Sequence, residues 1–216
     1  QGVDALMTSY CALSPVDVQT MAKYDVPYFA GTALHITANA IQKGMPKTRN
    51  VFHVSWTQLA YAVSHRQVLP TIPKKMGWTP PNKKMAVIRL EFPYNIAPSD
   101  QVIKEAQADG YEVVIDELTK FGKSTGTDIM TKLDRERPAF ISIWQLLATD
   151  SANFQRAFNK RFGRKGYNGI IIYQYTPSTP EFMSLTKKAA NGVIWMGGSM
   201  KIKEPAVASY LNRWKA

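Results

Sequence analysis

Alternation is the feature that most restricts what this chain can become. Short, continuous apolar runs recur along it, and most are followed by a stretch of helical pattern about ten residues long. The runs are VDALMTS (3–9), VPYFAG (26–31), VFHVS (51–55), MAVIRLEF (85–92), YEVVIDEL (111–118), AFISIWQ (139–145), NGIIIYQY (168–175) and NGVIWMG (191–197). Runs that are apolar throughout fit strands buried on both faces, as in parallel sheets. Helices between them make the connections βαβ crossovers, so the expected class is α/β, three layers, with parallel sheets between helices.

Punctuation supports the same division. Ser14-Pro15-Val16-Asp17 reads as a capping box with proline at the first helical position. Asp109-Gly110 and Gly163 read as helix stops. The stretch between 31 and 51 is expected to be a loop, and a helix is expected over 56–69. A last helix is expected over 204–216. Residues 70–84, PTIPKKMGWTPPNKK, hold four prolines and a glycine. They are expected to form a long loop or linker, with a boundary between two lobes near it. Residues 1–82 would belong to one lobe, incomplete, and residues 83–216 to the other. The incomplete lobe should expose apolar sheet surface.

The 216 residues allow one large or two small domains, and 45% hydrophobic content supplies real cores. No apolar run is long enough to span a membrane. Gln1-Gly2 leads straight into a strand with no visible signal peptide, so the expectation is a piece of a longer chain. A formal charge of +11 raises the question of a nucleic-acid partner. The basic residues are scattered, however, and the densest patch, NKRFGRKG (159–166), ends a helix where cations favour the dipole. The charge therefore reads as a solvated surface, with no nucleic acid expected. Cys11 stands alone, which excludes an internal disulfide. His35, His53 and His65 lack ligand spacing, so neither a metal nor another cofactor is expected.

Catalytic patterns fail on inspection. GKST (122–125) would need a glycine at 117 to be a phosphate loop, and that residue is Glu117. GGSM (197–200) lacks the second glycine of a nucleophile elbow. Cys11 has no base in any nearby pattern, and no acid, base and nucleophile set assembles. The chain is not expected to be an enzyme.

In open parallel sheets, ligands bind outside the carboxyl ends of the strands. Trp144 and Gln145 close an apolar run just before a Thr149/Asp150 helix start, which puts them at that edge. An indole offers flat apolar area, and an amide offers a donor and an acceptor.

Four stretches, in their order, resemble the type I periplasmic solute-binding proteins of ABC transporters, in the branched-chain amino-acid-binding (Leu/Ile/Val-binding-like) branch. VDALMTSYCALSPVDVQTMAKYDVPYFAGTA is similar to the second half of that family's first lobe. KKMAVIRLEFPYN is similar to the strand opening the second lobe, STGTDIMTKLDRERPAFISIW to a later helix–strand unit, and TPEFMSLTKKAANGVIWMGG to the last strand entry. Phe92, Asn95 and Asn191 depart from residues usual there. The amino-terminal units of lobe one and the carboxyl-terminal return have no counterpart.

The resemblance implies an extracytoplasmic protein, periplasmic or at the cell surface, that delivers a small solute to a membrane permease. The solute would lie between the lobes. From lobe one it implies Ser14 and the turn Ala30, Gly31 and Thr32. Ser14 equally reads as a helix cap, and one hydroxyl can do both. From lobe two it implies Tyr94, Trp144, Gln145 and Tyr175, while Trp144 and Tyr175 also read as packing at the lobe interface. Tyr175 stands where amino-acid binders carry an acidic partner for the ammonium, so an aromatic acid, an amide or another small carboxylate joins the amino acids as a candidate. The alternative is a ligand-sensing effector domain of a transcription regulator or receptor of the same fold. The regulator would need a helix-turn-helix segment, and none is present.

Overall fold

The computed structural model describes residues 2–9, 14–123, 127–163 and 166–197. Cys11, the Ser124-Thr125 end of GKST and the helix expected over 204–216 lie outside these residues.

The apolar runs assort into two parallel sheets. In the first, β1 (Leu6–Thr8), β2 (Tyr28–Ala30) and β3 (Val51–His53) lie in the order β1-β2-β3. Helices α1 (Ser14–Met21) and α2 (His35–Gly44) cover one face, where Val18, Met21, Ala40 and Ile41 meet Tyr28, Ala30 and Val51. The α2 segment was expected to be loop. Its start at Leu34 has no side-chain cap and its first turn no acid, so the usual entry signals are missing; packing of its apolar side on the sheet sustains it instead.

Strand side chains alternate between faces, so the register Met7–Phe29–Phe52 aligns three apolar residues on the opposite side. Met7 is 70% exposed and Phe52 46%, and the rings of Phe29 and Phe52 stack at 5.5 Å. The expected open apolar face is present.

The second sheet has the order β5-β4-β6-β7-β8, all parallel. Its strands are β4 (Lys84–Leu90), β5 (Glu112–Thr119), β6 (Phe140–Trp144), β7 (Ile170–Tyr173) and β8 (Ile194–Trp195). One face carries Ala86, Ile88, Ile141, Ile143 and Tyr173 against α5 (Thr127–Glu136), α6 (Ala148–Phe162) and α7 (Pro180–Thr186). The other carries Met85, Val87, Phe140, Trp144 and Ile172 against α3 (Leu59–Met76) and α4 (Pro93–Ala108).

The long loop expected over 70–84 is largely helix. α3 continues through Pro70 and Pro73 and stops only at Gly77, whose φ of 59° closes the helix in the left-handed region. A proline inside a helix costs about 3 kcal/mol. Tertiary anchoring offsets that cost: Leu69 is buried in the second core, Ile72 packs on it, and Trp78 sets its ring edge on Phe140 while its Nε1 donates to Asn168 Oδ1 at 2.7 Å. α3 precedes residue 82 in sequence, yet its apolar side packs on the second sheet. Among the described residues no helix is long and apolar enough to cross a membrane.

Candidate functional site

α3 runs with its start at the carboxyl end of the second sheet. Tyr61, in its first turn, meets Tyr175 just beyond β7, whereas Trp78, beyond its end, meets Phe140 where β6 begins. The chain reaches α3 from the carboxyl end of β3 through Trp56. Both sheets therefore deliver strand ends to one place.

A groove of about 330 Å³ lies there, lined by Trp56, Tyr61, Ser64 and Val68 on the α3 side and by Trp195 and Met196 at the end of β8. Trp56 is 58% exposed and Trp195 42%. No acidic, basic or histidine side chain is among its described lining. A larger hollow of about 640 Å³ lies at the opposite, amino-terminal end of β2 and β3, beside Tyr24, Asp25 and Asn50. It is far from any strand carboxyl end, and its Lys23, Lys47 and Arg49 fit a solvated surface.

Beside the groove stands a column of tyrosines. Tyr175 lies between Tyr61, with ring centroids 6.2 Å apart, and Tyr94, 6.1 Å apart and perpendicular. Its hydroxyl donates to Leu146 O at 2.7 Å, which fixes the ring. The structure thus brings together two expected site residues, Tyr94 at the start of α4 and Tyr175 after β7. Tyr94 is buried, whereas Tyr175 is half-buried.

Under this rim lies a layer of amides. Asn95 Nδ2 donates to Gln174 Oε1 at 2.9 Å, and Gln145 Nε2 donates to Thr119 Oγ1 at 2.9 Å. Asn95, Gln145 and Gln174 are all buried. Asn95 Oδ1, Gln145 Oε1 and Gln174 Nε2 have no hydrogen-bond partner among the described residues. Buried amide atoms left this way are costly, and these three lie close to the carboxyl ends of β4, β6 and β7.

Trp144 and Gln145 do not face a cleft, which corrects the sequence expectation. Trp144 is still part of β6, and it shares a face with Phe140 and Ser142 by strand alternation. That face is covered by α3, so the indole is fully buried. Its Nε1 donates to Ser142 Oγ at 2.6 Å, and Ser142 Oγ lies 2.8 Å from His65 Nε2 of α3. Ser142 Oγ thus joins the indole and the imidazole in one buried hydrogen-bonded chain, and burial keeps the ring neutral. Burial pushes the His65 pKa down to about 4. Gln145 is bound into the amide layer rather than presented to solvent.

The first-lobe candidates are largely committed to structure. Ser14 is buried and accepts a hydrogen bond from the Thr37 hydroxyl of α2. Ala30 is core, and its carbonyl accepts from Val54 N. Gly31 N donates to Thr8 O at 2.8 Å, and a Cβ there would lie 2.6 Å from that same oxygen, so only glycine lets β1 and β2 approach. Thr32 is buried, and its carbonyl lies 2.6 Å from His53 Nε2.

Sequence reasoning missed Trp56, Tyr61 and Trp195. The rule that selected Tyr175, a wide ring just past a strand's carboxyl end, also fits Trp56 past β3; placing Trp56 at a helix start concealed it. Trp195 read as strand interior because β8 was expected to run longer than its two residues.

Solved structures give the fold a wider setting. A chain from Silicibacter pomeroyi, assigned to branched-chain amino acid ABC transport, aligns with a TM-score of 0.85 at 18% identity, covering 99% of this chain and 53% of that one. A leucine-binding protein from Thermotoga maritima aligns at 0.74 and 15% identity, covering 99% and 57%. A solute-binding protein of an ABC transporter from Rhodopseudomonas palustris, in complex with benzoate, aligns at 0.71 and 12% identity, covering 99% and 55%. At such identities the likeness establishes the fold, that of type I periplasmic binding proteins, and the chain spans about half the length of these relatives. No curated protein is similar enough to count as a relative. Its two parallel sheets, their strand ends meeting at one groove, agree with the match of residues 1–216 to a family profile, and the chain belongs to the periplasmic binding protein family.

Proposed function

We propose that this chain is part of the extracytoplasmic solute-binding component of an ABC uptake transporter. It binds a small solute, an amino acid or a related small carboxylate, amide or aromatic acid, between two lobes and passes it to a membrane permease. In this reading β1 to β3 with α1 and α2 belong to the amino-terminal lobe, and the second sheet with α3 to α7 belongs to the carboxyl-terminal lobe, so the division falls before α3 rather than at residue 82. The observation that carries this is the groove lined by Trp56 beyond β3 and by Trp195 and Met196 at the end of β8, where strand ends from both sheets meet. Family membership and relatives that are solute-binding proteins support it. In this reading Tyr94, Tyr175, Trp56, Tyr61 and Trp195 surround the solute, with Ser14 and the Ala30-Gly31-Thr32 turn behind it on the first lobe. Binding without transformation is the reading supported by relatives that are solute-binding proteins, and among the described residues no acid, base and nucleophile gather at the groove.

Calorimetry on the intact natural polypeptide, with leucine, benzoate and small amides as titrants, tests this. Saturable binding with the solute recovered unchanged is expected, and a solute at 100 times its Kd should add about 2.7 kcal/mol of stability. Turnover of the solute, or no saturable binding across all three classes, would overturn it.

A further inference from the structure

We propose that the end of the first sheet opposite the groove is a membrane-contact face, which takes the phosphate-bearing headgroups of an anionic lipid surface. Residues 1–56 contain four lysines and arginines: Lys23, Lys43, Lys47 and Arg49. The fold gathers all four. Lys23 follows α1, Lys43 lies in the last turn of α2, and Lys47 and Arg49 lie in the connection from α2 to β3. Lys23, Lys47 and Arg49 line the hollow of about 640 Å³. Lys43 and Lys47 line an adjoining hollow of about 430 Å³ between α1 and α2. Asp25 is the carboxylate in this lining. Among the described residues the ion pairs join side chains from Arg66 onward, so none of the four cations is spent internally.

The occupant that fits is a lipid surface. A small anion needs donors fixed around it. The amide available here, Asn50 Nδ2, is already directed at Met21 O, Tyr24 O and Val26 O, at 2.9, 2.7 and 3.0 Å. An acidic protein surface is matched best by cations held in a fixed, bidentate geometry. These four are exposed, flexible side chains, which suit a fluid layer of negative charge. Apolar groups stand among them. Met45, between Lys43 and Lys47 in the chain, is 57% exposed, and Tyr24, next to Lys23, is 58% exposed. Cations beside an exposed thioether and a phenol are the composition of an interfacial contact. A second copy would bring the same positive charge and be repelled. The face lies at the amino ends of β2 and β3, so contact there leaves the strand carboxyl ends and their groove open.

The test is vesicle sedimentation of the intact natural polypeptide. One set of vesicles is phosphatidylglycerol mixed into phosphatidylcholine, and the other is phosphatidylcholine alone. Binding to the mixed vesicles and not to the neutral ones is expected, and it should fall at least about tenfold between about 0.05 M and about 0.3 M salt. Lys47→Gln/Arg49→Gln should weaken it about 25-fold, about fivefold for each cation removed. Met45→Ser should weaken it about threefold. Lys160→Gln/Arg161→Gln, at the end of α6 in the densest basic run of the sequence, should leave it within about twofold. Thermal melts check that each variant is folded. Equal losses in the two double variants would assign the binding to diffuse net charge and overturn the proposal. Equal binding to neutral vesicles overturns it too. Displacement by glycerol phosphate would mark a small-anion site instead, and tighter binding to an oligoglutamate peptide an acidic protein partner. A dimer in solution that Lys47→Gln/Arg49→Gln dissociates would make the face a contact between copies, and each of these three results overturns the lipid surface. The solute groove takes no part in this, so solute binding and vesicle binding stand or fall separately.

Discussion

His65 makes the second core sensitive to acid. Its ring is fully buried where α3 packs on β6, and its Nε2 shares a hydrogen bond with Ser142 Oγ, which also accepts from the Trp144 indole. Protonating the ring would leave a charge in an apolar core, with Nδ1 unpartnered among the described residues. Burial accordingly lowers the ring's pKa from 6.5 to about 4. The sign follows from linkage: between those values the unfolded chain binds the proton and the folded one does not, so stability falls as pH drops from about 6.5 to about 4 and the term is constant below that. At about 1.4 kcal/mol for each tenfold, the full loss is about 3 kcal/mol, of which about 2 kcal/mol is gone by about pH 5. Urea unfolding at pH 7.5, 6, 5 and 4 reads it directly. His65→Gln fills much of the same space and cannot titrate, so its stability should decline with pH more gently than the parent's, while the carboxylates contribute to both. Parallel pH profiles for the two proteins would show that the buried ring is not the group responsible.

Other substitutions separate core from site. Trp144→Ala should lower stability by about 3–5 kcal/mol, because it empties a fully buried indole site and strips Ser142 of a donor, while solute affinity measured in the folded fraction by calorimetry stays at the parent value. Gly31→Ala should cost about 1–3 kcal/mol in urea unfolding, since its Cβ would press on the Thr8 carbonyl and separate β1 from β2. Tyr175→Phe should cost about 1 kcal/mol by the same assay through loss of the bond to Leu146 O, with the ring contacts to Tyr61 and Tyr94 kept.

The strands were legible because each is a continuous apolar run, and burial on both faces demands one. The helices over 93–108 and 148–162 were legible for a related reason: each opens beside a proline or an acid and stops at a glycine or just before one. α2 was not legible because Leu34 gives no cap and tertiary contact alone sustains it. The end of α3 was not legible because two prolines outweigh, in any local reading, the distant anchors Trp78–Phe140 and Trp78–Asn168 that hold the helix on the second sheet.

The site shows where local inference stops. That ligands of open parallel sheets bind at strand carboxyl ends is a property of backbone connectivity, and it singled out Tyr94 and Tyr175, which the structure places in contact with each other. Which side chain at that edge meets solvent is a question of parity and of length. Trp144 is the last residue of β6, on the face that α3 covers, so it is buried; Tyr175 is two residues past the end of β7, so its ring is freed from both faces and turns to meet Tyr61. A shift of one or two residues in where a strand stops decides between core and cleft, and the stopping point is set by hydrogen bonds to neighbouring strands that no single run of sequence contains. The same argument assigns Trp56 and Trp195 to the groove: one follows β3 after its ladder has ended, and the other closes β8, which among the described strands pairs with β7 on one side only.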